Sequence, residues 1–331
     1  MDDSVKQSLN REIKDNYKRI NSCCIAQNNE IEFEQYYNSC HKETLYHVMS
    51  VTKSFISLLI GIAIDKGFIT DINNKVSEYL PEYNNNMYYQ ISDITIKQLL
   101  SMTSGIYYRF GKNSSEPLLQ RMITSSNWVE FIQSLPIEEK GFQYNSFNYH
   151  LLSAIITKAT GMNAREFANK NVFDYLNIKQ INSYNKTQMN YINLESFIGK
   201  DRNIWIEDPQ GNSMGGAGLS LTTSDLTRLG LLFLNNGFWE GKSVVSQRWI
   251  EESTKTHIKI TKNTGYGYGW WTDNGGDQSF YYASGRGGQY IFVVPAQKLV
   301  VVFTSEGCTN VTLKNDPKIL LIKNIIPLMQ K

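Results

Sequence analysis

Cysteine and histidine are scarce in this chain, which has four of each among 331 residues. The cysteines are Cys23, Cys24, Cys40 and Cys308. No two of them form a C-x-x-C pair, so a structural zinc site is not expected. We expect all four to be reduced, as in a cytosolic protein. Cys23 and Cys24 are adjacent on a predicted strand and should therefore point to opposite faces of a sheet.

An excess of charge and a long apolar run are also missing. The formal net charge is +2, with lysine and arginine scattered, so neither a nucleic acid nor a membrane surface is expected as a partner. The longest apolar run, 55–64, is too short to span a bilayer and predicts a buried helix. The first twenty residues are polar and contain no apolar signal region, so a cytoplasmic location is expected.

Strand patterns lie towards both ends of the chain, and helical patterns lie in the middle. The predicted strands are 20–27, 31–37, 267–272, 278–283, 289–295 and 299–305. The predicted helices are 4–17, 50–66, 96–102, 116–124, 127–133, 149–160, 164–176, 223–235, 246–253 and 317–329. This order predicts an α/β fold of the α+β type, with an antiparallel sheet built from both termini and flanked by helices. We expect a sheet domain at 1–69 and 203–331, an inserted helical lobe with few strands at 70–202, and a cleft between them.

The stretch Ser50-Val51-Thr52-Lys53 has the form S-x-x-K. On a helix, residues three apart share one face, with Cβ atoms about 5–6 Å apart. A lysine one turn after a serine can therefore reach its hydroxyl, and burial would lower the lysine pKa enough for it to accept the hydroxyl proton. The pattern alone is weak, and a solvated helix start is the simpler interpretation.

Two further stretches carry residues that suit a catalytic cleft. Tyr144 lies in the polar segment 142–146 before a predicted helix, where a tyrosine is more often a packing residue. The Gly-rich segment 283–289 precedes a strand and is either an ordinary turn or a place where backbone approaches a ligand closely. It matches neither a phosphate-binding loop nor a dinucleotide fingerprint.

A competing motif is G-x-S-x-G at 211–215, with Ser213 as its serine. A nucleophile elbow requires a buried strand before it and a helix directly after it. The flanking residues, Asp208-Pro209-Gln210 and Gly216-Ala217-Gly218, do not fit that context. His150 and His257 are the candidate bases, but no acidic partner for either is evident from the sequence.

Taken in order, these stretches resemble the serine β-lactamase/penicillin-binding-protein superfamily. The similarity extends from about Ile20 to Ser305 and is strongest to the branch of class C β-lactamases, DD-peptidases, related esterases and 6-aminohexanoate-dimer hydrolase. The matching segments are 50–54, 98–105, 142–146 with Leu151-Leu152, 216–220 with Asp225, 265–270, and 285–289 with Pro295. Their agreement in order is far more specific than any one of them.

The resemblance implies the sheet-and-lobe fold and a set of roles. Ser50 would be the acylated nucleophile, Lys53 its base, and Tyr144 the group that shuttles a proton to the leaving group. The backbone N–H groups of Ser50, at a helix N-terminus, and Gln289 would form an oxyanion hole. No metal or cofactor is implied.

Two departures bear on the substrate. Ser146 stands where many β-lactamases carry asparagine, and the Lys-Thr-Gly element is Arg286-Gly287-Gly288, whose arginine could bind a substrate carboxylate. The expected function is therefore an esterase or amidase acting on a small ester, amide or peptide-like substrate. The alternatives are β-lactamase or DD-peptidase activity, and a penicillin-binding or sensor domain that stays acylated.

Overall fold

The structure is a computed structural model that describes residues 1–80, 90–111, 116–138, 141–185, 202–276, 278–305 and 316–330. Its strands are β1 Ile20–Gln27, β2 Glu30–Tyr36, β3 Tyr46–His47, β4 Asn182–Asn185, β5 Ile204–Glu207, β6 Ser220–Leu221, β7 Phe238–Trp239, β8 Lys242–Ser243, β9 Ile258–Lys259, β10 Thr264–Tyr266, β11 Trp271–Asp273, β12 Phe280–Gly285, β13 Gln289–Val294 and β14 Leu299–Ser305. The main element is an antiparallel sheet with strand order β2-β1-β14-β13-β12-β11-β10-β9. The N-terminal hairpin pairs directly with the last strand, which confirms the prediction of a sheet built from both ends of the chain.

Helices flank this sheet and fill the middle of the sequence, as predicted. They are α1 Asp3–Asn16, α2 Thr52–Asp65, α3 Val76–Tyr79, α4 Ile96–Leu100, α5 Pro117–Thr124, α6 Trp128–Gln133, α7 Phe147–Thr160, α8 Ala164–Ala168, α9 Thr223–Leu234, α10 Gln247–Thr254, α11 Pro317–Leu320 and α12 Ile326–Leu328. Two π-helical turns, Asn169–Phe173 and Leu321–Ile325, extend α8 and join α11 to α12. The C-terminal segment is therefore helical over the predicted range, with a π turn in its middle.

The two faces of the sheet carry separate apolar cores. Cys24 belongs to the core that packs under α2 and α9, whereas Cys23 belongs to the core under α1 and the C-terminal helices. The two adjacent cysteines thus point to opposite faces, as expected for a strand. Cys308 lies outside the described residues. In the part of the chain that the structure describes, no helix is long and apolar enough to cross a membrane.

One prediction of local structure is wrong. The range 267–272 is not one strand, because the N–H of Gly267 bonds to the carbonyl of Trp270 and the chain turns back from β10 into β11. Gly269 has a φ of +82°, a value that favours glycine and suits such a turn. In the middle region, the short strand β4 pairs in parallel with β5.

The core under α2 is continuous from the sheet into the helices of the middle region. It includes Val300 and Val302 of β14, Phe55 and Leu59 of α2, and Ile155 of α7. Helix α2 is therefore enclosed on all sides, and its side chains from Thr52 to Ala63 are buried. The division of the chain at 69/70 and 202/203 stays a prediction.

Candidate active site

Ser50 lies in a short connection between β3 and α2. A 3₁₀ turn, Met49–Val51, precedes α2, so Ser50 lies just before the helix begins. The hydroxyl of Thr52 donates to the carbonyl of Met49 at 2.7 Å, which holds the turn against the helix start. Met49 has a φ of +51°, a left-handed conformation that is uncommon for a residue with a side chain and is found at functional sites.

Lys53 reaches back to Ser50 from the first turn of α2. Its Nζ lies 2.9 Å from Ser50 Oγ, 2.7 Å from the carbonyl oxygen of Gly216 and 3.4 Å from Ser146 Oγ. Lys53 is 1% exposed, and this burial lowers the pKa of its amine to about 7. A neutral amine has two N–H donors and one lone pair. It can donate to Gly216 and Ser146 while it accepts the hydroxyl proton of Ser50.

Tyr144 lies beside Lys53 and borders the site. The Nζ of Lys53 lies 4.9 Å from the centre of its ring, which stacks on Trp271 with ring centres 5.5 Å apart. Burial raises the pKa of the Tyr144 hydroxyl, and its hydrogen bond with Ser50 acts in the opposite direction. The phenol is therefore neutral near pH 7 and lies beside the same serine hydroxyl as Lys53.

Two asparagines hold the segment that carries Tyr144. Asn145 Oδ1 accepts a hydrogen bond from the N–H of Asn148 at 2.9 Å, and Asn148 Oδ1 accepts one from the hydroxyl of Ser104 at 2.7 Å. Both side chains are buried, and the Sδ of Met102 accepts from the backbone N–H of Asn145 at 3.5 Å and from Nδ2 of Asn148 at 3.6 Å. These contacts fix the start of α7 and thereby the position of the Tyr144 ring.

The Gly-rich segment forms a tight turn against the residues that precede Ser50. The N–H of Gly288 bonds to the carbonyl of Gly285 at 3.2 Å, and Gly287 and Gly288 have φ values of +90° and +98°. A Cβ on Gly285 would lie 2.4 Å from the carbonyl oxygen of Val48, so this close approach requires glycine.

Gln289 follows this turn at the start of β13. Its side-chain amide is buried and pairs with the backbone of Ser305, with Nε2 donating to the carbonyl oxygen at 2.7 Å and Oε1 accepting from the N–H at 3.3 Å. The Gln289 side chain therefore supports the pairing of β13 with β14. The oxyanion-hole role of the Ser50 and Gln289 backbone stays a prediction.

Ser146 and Arg286, the residues expected to specify a substrate, both have protein partners. Ser146 is buried beside Lys53, and Arg286 forms an ion pair with Glu116 at 2.7 Å. The second carboxylate oxygen of Glu116 accepts a short hydrogen bond from Tyr108. Neither Tyr108 nor Glu116 was identified from the sequence, and no local pattern indicates either of them. The contact between Glu116 and Arg286 joins residues that are 170 positions apart.

The competing G-x-S-x-G motif does not form a nucleophile elbow. Ser213 is 0% exposed, and its Oγ accepts a hydrogen bond from the N–H of Arg165 at 3.0 Å. The chain continues into β6 without a helix. His150 does have an acidic partner that the sequence did not reveal, since its Nε2 lies 3.1 Å from Oδ2 of Asp208. His257 Nε2 lies 2.8 Å from the carbonyl oxygen of Glu252. The imidazoles of His150 and His257 therefore each contact another group of the protein.

The sheet with its flanking helices, together with a serine and a buried lysine at the start of a core helix, is typical of the β-lactamase and penicillin-binding class of proteins. Residues 21–321 match the family described as Beta-lactamase, and the chain belongs to that family.

Individual relatives agree with this assignment. The 6-aminohexanoate-dimer hydrolase of Paenarthrobacter ureafaciens is 25% identical over 262 residues, which cover 74% of this chain and 60% of that protein. The chain spans about half to two thirds of the length of the curated relatives it matches.

Solved structures share the fold. A Bacillus anthracis protein provisionally described as a 6-aminohexanoate-dimer hydrolase superimposes with a TM-score of 0.76 at 20% identity, covering 97% of this chain and 81% of that one. A penicillin binding protein from Bacillus halodurans gives a TM-score of 0.72 at 17% identity, covering 95% and 99%.

Proposed function

We propose that this protein is a serine hydrolase that cleaves an ester or amide through a covalent acyl-enzyme on Ser50. The observation that carries the proposal is the 2.9 Å contact between Ser50 Oγ and the buried amine of Lys53. Burial lowers the pKa of that amine to about 7, so a large fraction of it is neutral at physiological pH. A neutral amine at this distance is a competent base for the serine hydroxyl.

Acylation follows from this arrangement. Lys53 Nζ takes the hydroxyl proton while Ser50 Oγ bonds to the substrate carbonyl carbon. The carbonyl oxygen becomes an oxyanion, which the N–H groups of Ser50 and Gln289 stabilise. The proton passes from Lys53 by way of Tyr144 to the leaving oxygen or nitrogen, and the bond to that atom breaks. Losing one oxyanion donor typically costs about 10²–10³ in rate.

Deacylation repeats these steps with water. The water donates a proton to Lys53 while the water oxygen attacks the carbonyl carbon of the ester on Ser50. The tetrahedral intermediate collapses, the C–Oγ bond breaks, and the proton returns to Oγ. No metal ion or cofactor takes part in this scheme.

The substrate class is a small ester, amide or peptide-like molecule. The ion pair between Arg286 and Glu116 favours this choice over a β-lactam, because the arginine that would bind a substrate carboxylate already binds one from the protein. The similarity to a 6-aminohexanoate-dimer hydrolase points in the same direction. Ser146, Gly287 and Gly288 remain the proposed substrate-facing residues around the cleft.

The decisive experiment compares Ser50→Ala with Ser213→Ala on p-nitrophenyl esters of short acids. Ser50→Ala should lose about 10³-fold or more in kcat/KM, whereas Ser213→Ala should keep its activity per folded molecule. Labelling with a fluorophosphonate, followed by peptide mass spectrometry, should place one adduct on Ser50. Activity that survives in Ser50→Ala and is lost in Ser213→Ala would refute the assignment.

The same assay separates the alternatives. A burst of one equivalent without a steady state would identify a domain that stays acylated. Faster turnover of a chromogenic cephalosporin or a D-alanyl peptide than of any simple ester would identify a β-lactamase or a DD-peptidase.

A further inference from the structure

An ion pair joins the Gly-rich turn of the sheet to the start of helix α5. Arg286 lies between β12 and β13, and Glu116 directly precedes α5. The guanidinium and the carboxylate are 2.7 Å apart, and their side chains are 37% and 18% exposed. The pair therefore lies at the edge of the site, with the carboxylate on the inner side.

A series of polar contacts leads from this carboxylate to the reactive amine. Glu116 accepts from the hydroxyl of Tyr108, a residue that is 2% exposed. The same hydroxyl interacts with Ser146, whose Oγ is 3.4 Å from the Nζ of Lys53. Burial has the largest effect on the pKa of Lys53, and beside it the charge of Glu116 raises that pKa and the charge of Arg286 lowers it.

The chemistry of the pair determines what it can accept. An arginine recognises a carboxylate through charge-assisted hydrogen bonds, and Glu116 already supplies such a carboxylate. An anionic substrate would have to share the guanidinium with Glu116 or displace it, and in both cases two carboxylates would lie side by side with one arginine between them. Like charges brought together out of water are strongly unfavourable.

We propose that Glu116 is a specificity-determining residue, a carboxylate of the protein that occupies Arg286 and excludes substrates carrying a carboxylate near the scissile bond. This inference rests on the proposed function. It narrows the substrate class to esters and amides that are neutral around the reacting carbonyl.

Two matched pairs of aryl esters test the proposal. In one pair the leaving phenol carries a meta-carboxylate or a meta-carboxamide. In the other pair the acyl chain ends in a carboxylate or in its methyl ester. The quantity measured is the ratio of kcat/KM for the anionic member to that for the neutral member, in the wild type, E116Q, R286Q and the double variant. A ratio taken within one variant cancels any general loss of activity.

The wild type should prefer the neutral member of both pairs. E116Q should raise the ratio by about tenfold or more in at least one pair, because the competing carboxylate of Glu116 is removed from the guanidinium of Arg286, and adding R286Q should remove that gain. R286Q alone should lower the ratio severalfold, since Glu116 then carries uncompensated charge. The R286Q variant therefore tests the proposal even if E116Q fails to fold.

Glu138→Gln is the matched control, because Glu138 pairs with Arg109 at 2.8 Å and the change removes the same charge elsewhere. If E138Q changed the kcat/KM ratio as much as E116Q does, the effect would depend on net charge alone, and the proposal would be overturned. Unchanged ratios in E116Q, or in R286Q if E116Q does not fold, would overturn it as well.

Ser50→Ala separates this inference from the proposed function. If S50A keeps wild-type rates on the neutral esters, the proposed function fails. If S50A is inactive but the ratios do not respond to E116Q, only the role of Glu116 fails.

Discussion

Lys53 donates a hydrogen bond to the carbonyl oxygen of Gly216 at 2.7 Å, across 163 positions of sequence. This contact holds the amine through a segment outside its own helix. It takes up one N–H of a neutral amine and leaves the lone pair for the hydroxyl of Ser50, which lies 2.9 Å away.

The rate should depend on the protonation of Lys53. Burial lowers the pKa of its amine to about 7, and only the neutral form can accept the serine proton. For a neutral ester, kcat/KM should therefore rise with pH, by about tenfold per unit well below pH 7, and level off above it. A pH–rate profile measures this, and a flat profile through neutral pH would contradict a base with a pKa of about 7 at Lys53.

Replacing Lys53 by methionine should make stability less dependent on pH. The amine has a pKa of about 7 in the folded protein and an ordinary value of 10.5 in the unfolded chain, so the unfolded chain binds more protons between these limits. The unfolding free energy of the wild type should then rise with pH, relative to Lys53→Met, by up to about 1.4 kcal/mol per unit in that window.

Urea unfolding of both proteins at several pH values between those limits measures this difference. Lys66→Met, which removes an exposed lysine at the end of α2, is the control and should follow the wild type. Parallel pH dependences of the wild type and Lys53→Met would contradict a lowered pKa for the buried amine.

Local patterns predicted the elements and contacts that depend on neighbouring residues. Asn28 and Asn29 have φ values of +53° and +67° in the turn of the first hairpin, where two residues with positive φ are required. The S-x-x-K spacing brought Ser50 and Lys53 together for the same reason, since one helical turn is a local property.

Patterns failed where residues far apart in sequence decide the structure. The alternation of tyrosine and glycine around Gly269 fits a strand equally well. The turn is set by close packing, since a Cβ on Gly269 would lie 3.0 Å from Ser57 Cβ. Asp208 as the partner of His150, and Glu116 as the partner of Arg286, likewise depend on how distant segments meet. A single sequence gives no record of such contacts.

Gly216→Ala should reduce catalysis more than stability. A Cβ at this position would lie 2.5 Å from Ser146 Cβ and 2.9 Å from its Oγ, so the carbonyl that holds Lys53 must move. Because a shift of about 1 Å can cost about 10² in rate, kcat/KM should fall by that order. Gly141→Ala is the control, since its added Cβ meets no atom of the described residues within 4 Å. Wild-type kcat/KM in folded Gly216→Ala would contradict this role of the Gly216 carbonyl.

His47 should act as a positioning residue for the same segment. It lies on β3, and its Nε2 accepts a hydrogen bond from the N–H of Gly218 at 2.8 Å. Burial lowers the pKa of its imidazole to about 4, so it stays a neutral acceptor at physiological pH. His47→Leu would leave the Gly218 N–H buried without an acceptor, at a cost of about 1–3 kcal/mol in unfolding free energy.

Because Gly218 is two residues from Gly216, His47→Leu should also loosen the carbonyl that holds Lys53. It should lower kcat with little change in KM, whereas His47→Gln, which keeps an acceptor, should recover part of the loss. Steady-state kinetics and urea unfolding of both variants measure the two effects separately. A destabilised His47→Leu with wild-type kcat would show that His47 supports the fold alone, because loss of a positioning contact must appear in the rate.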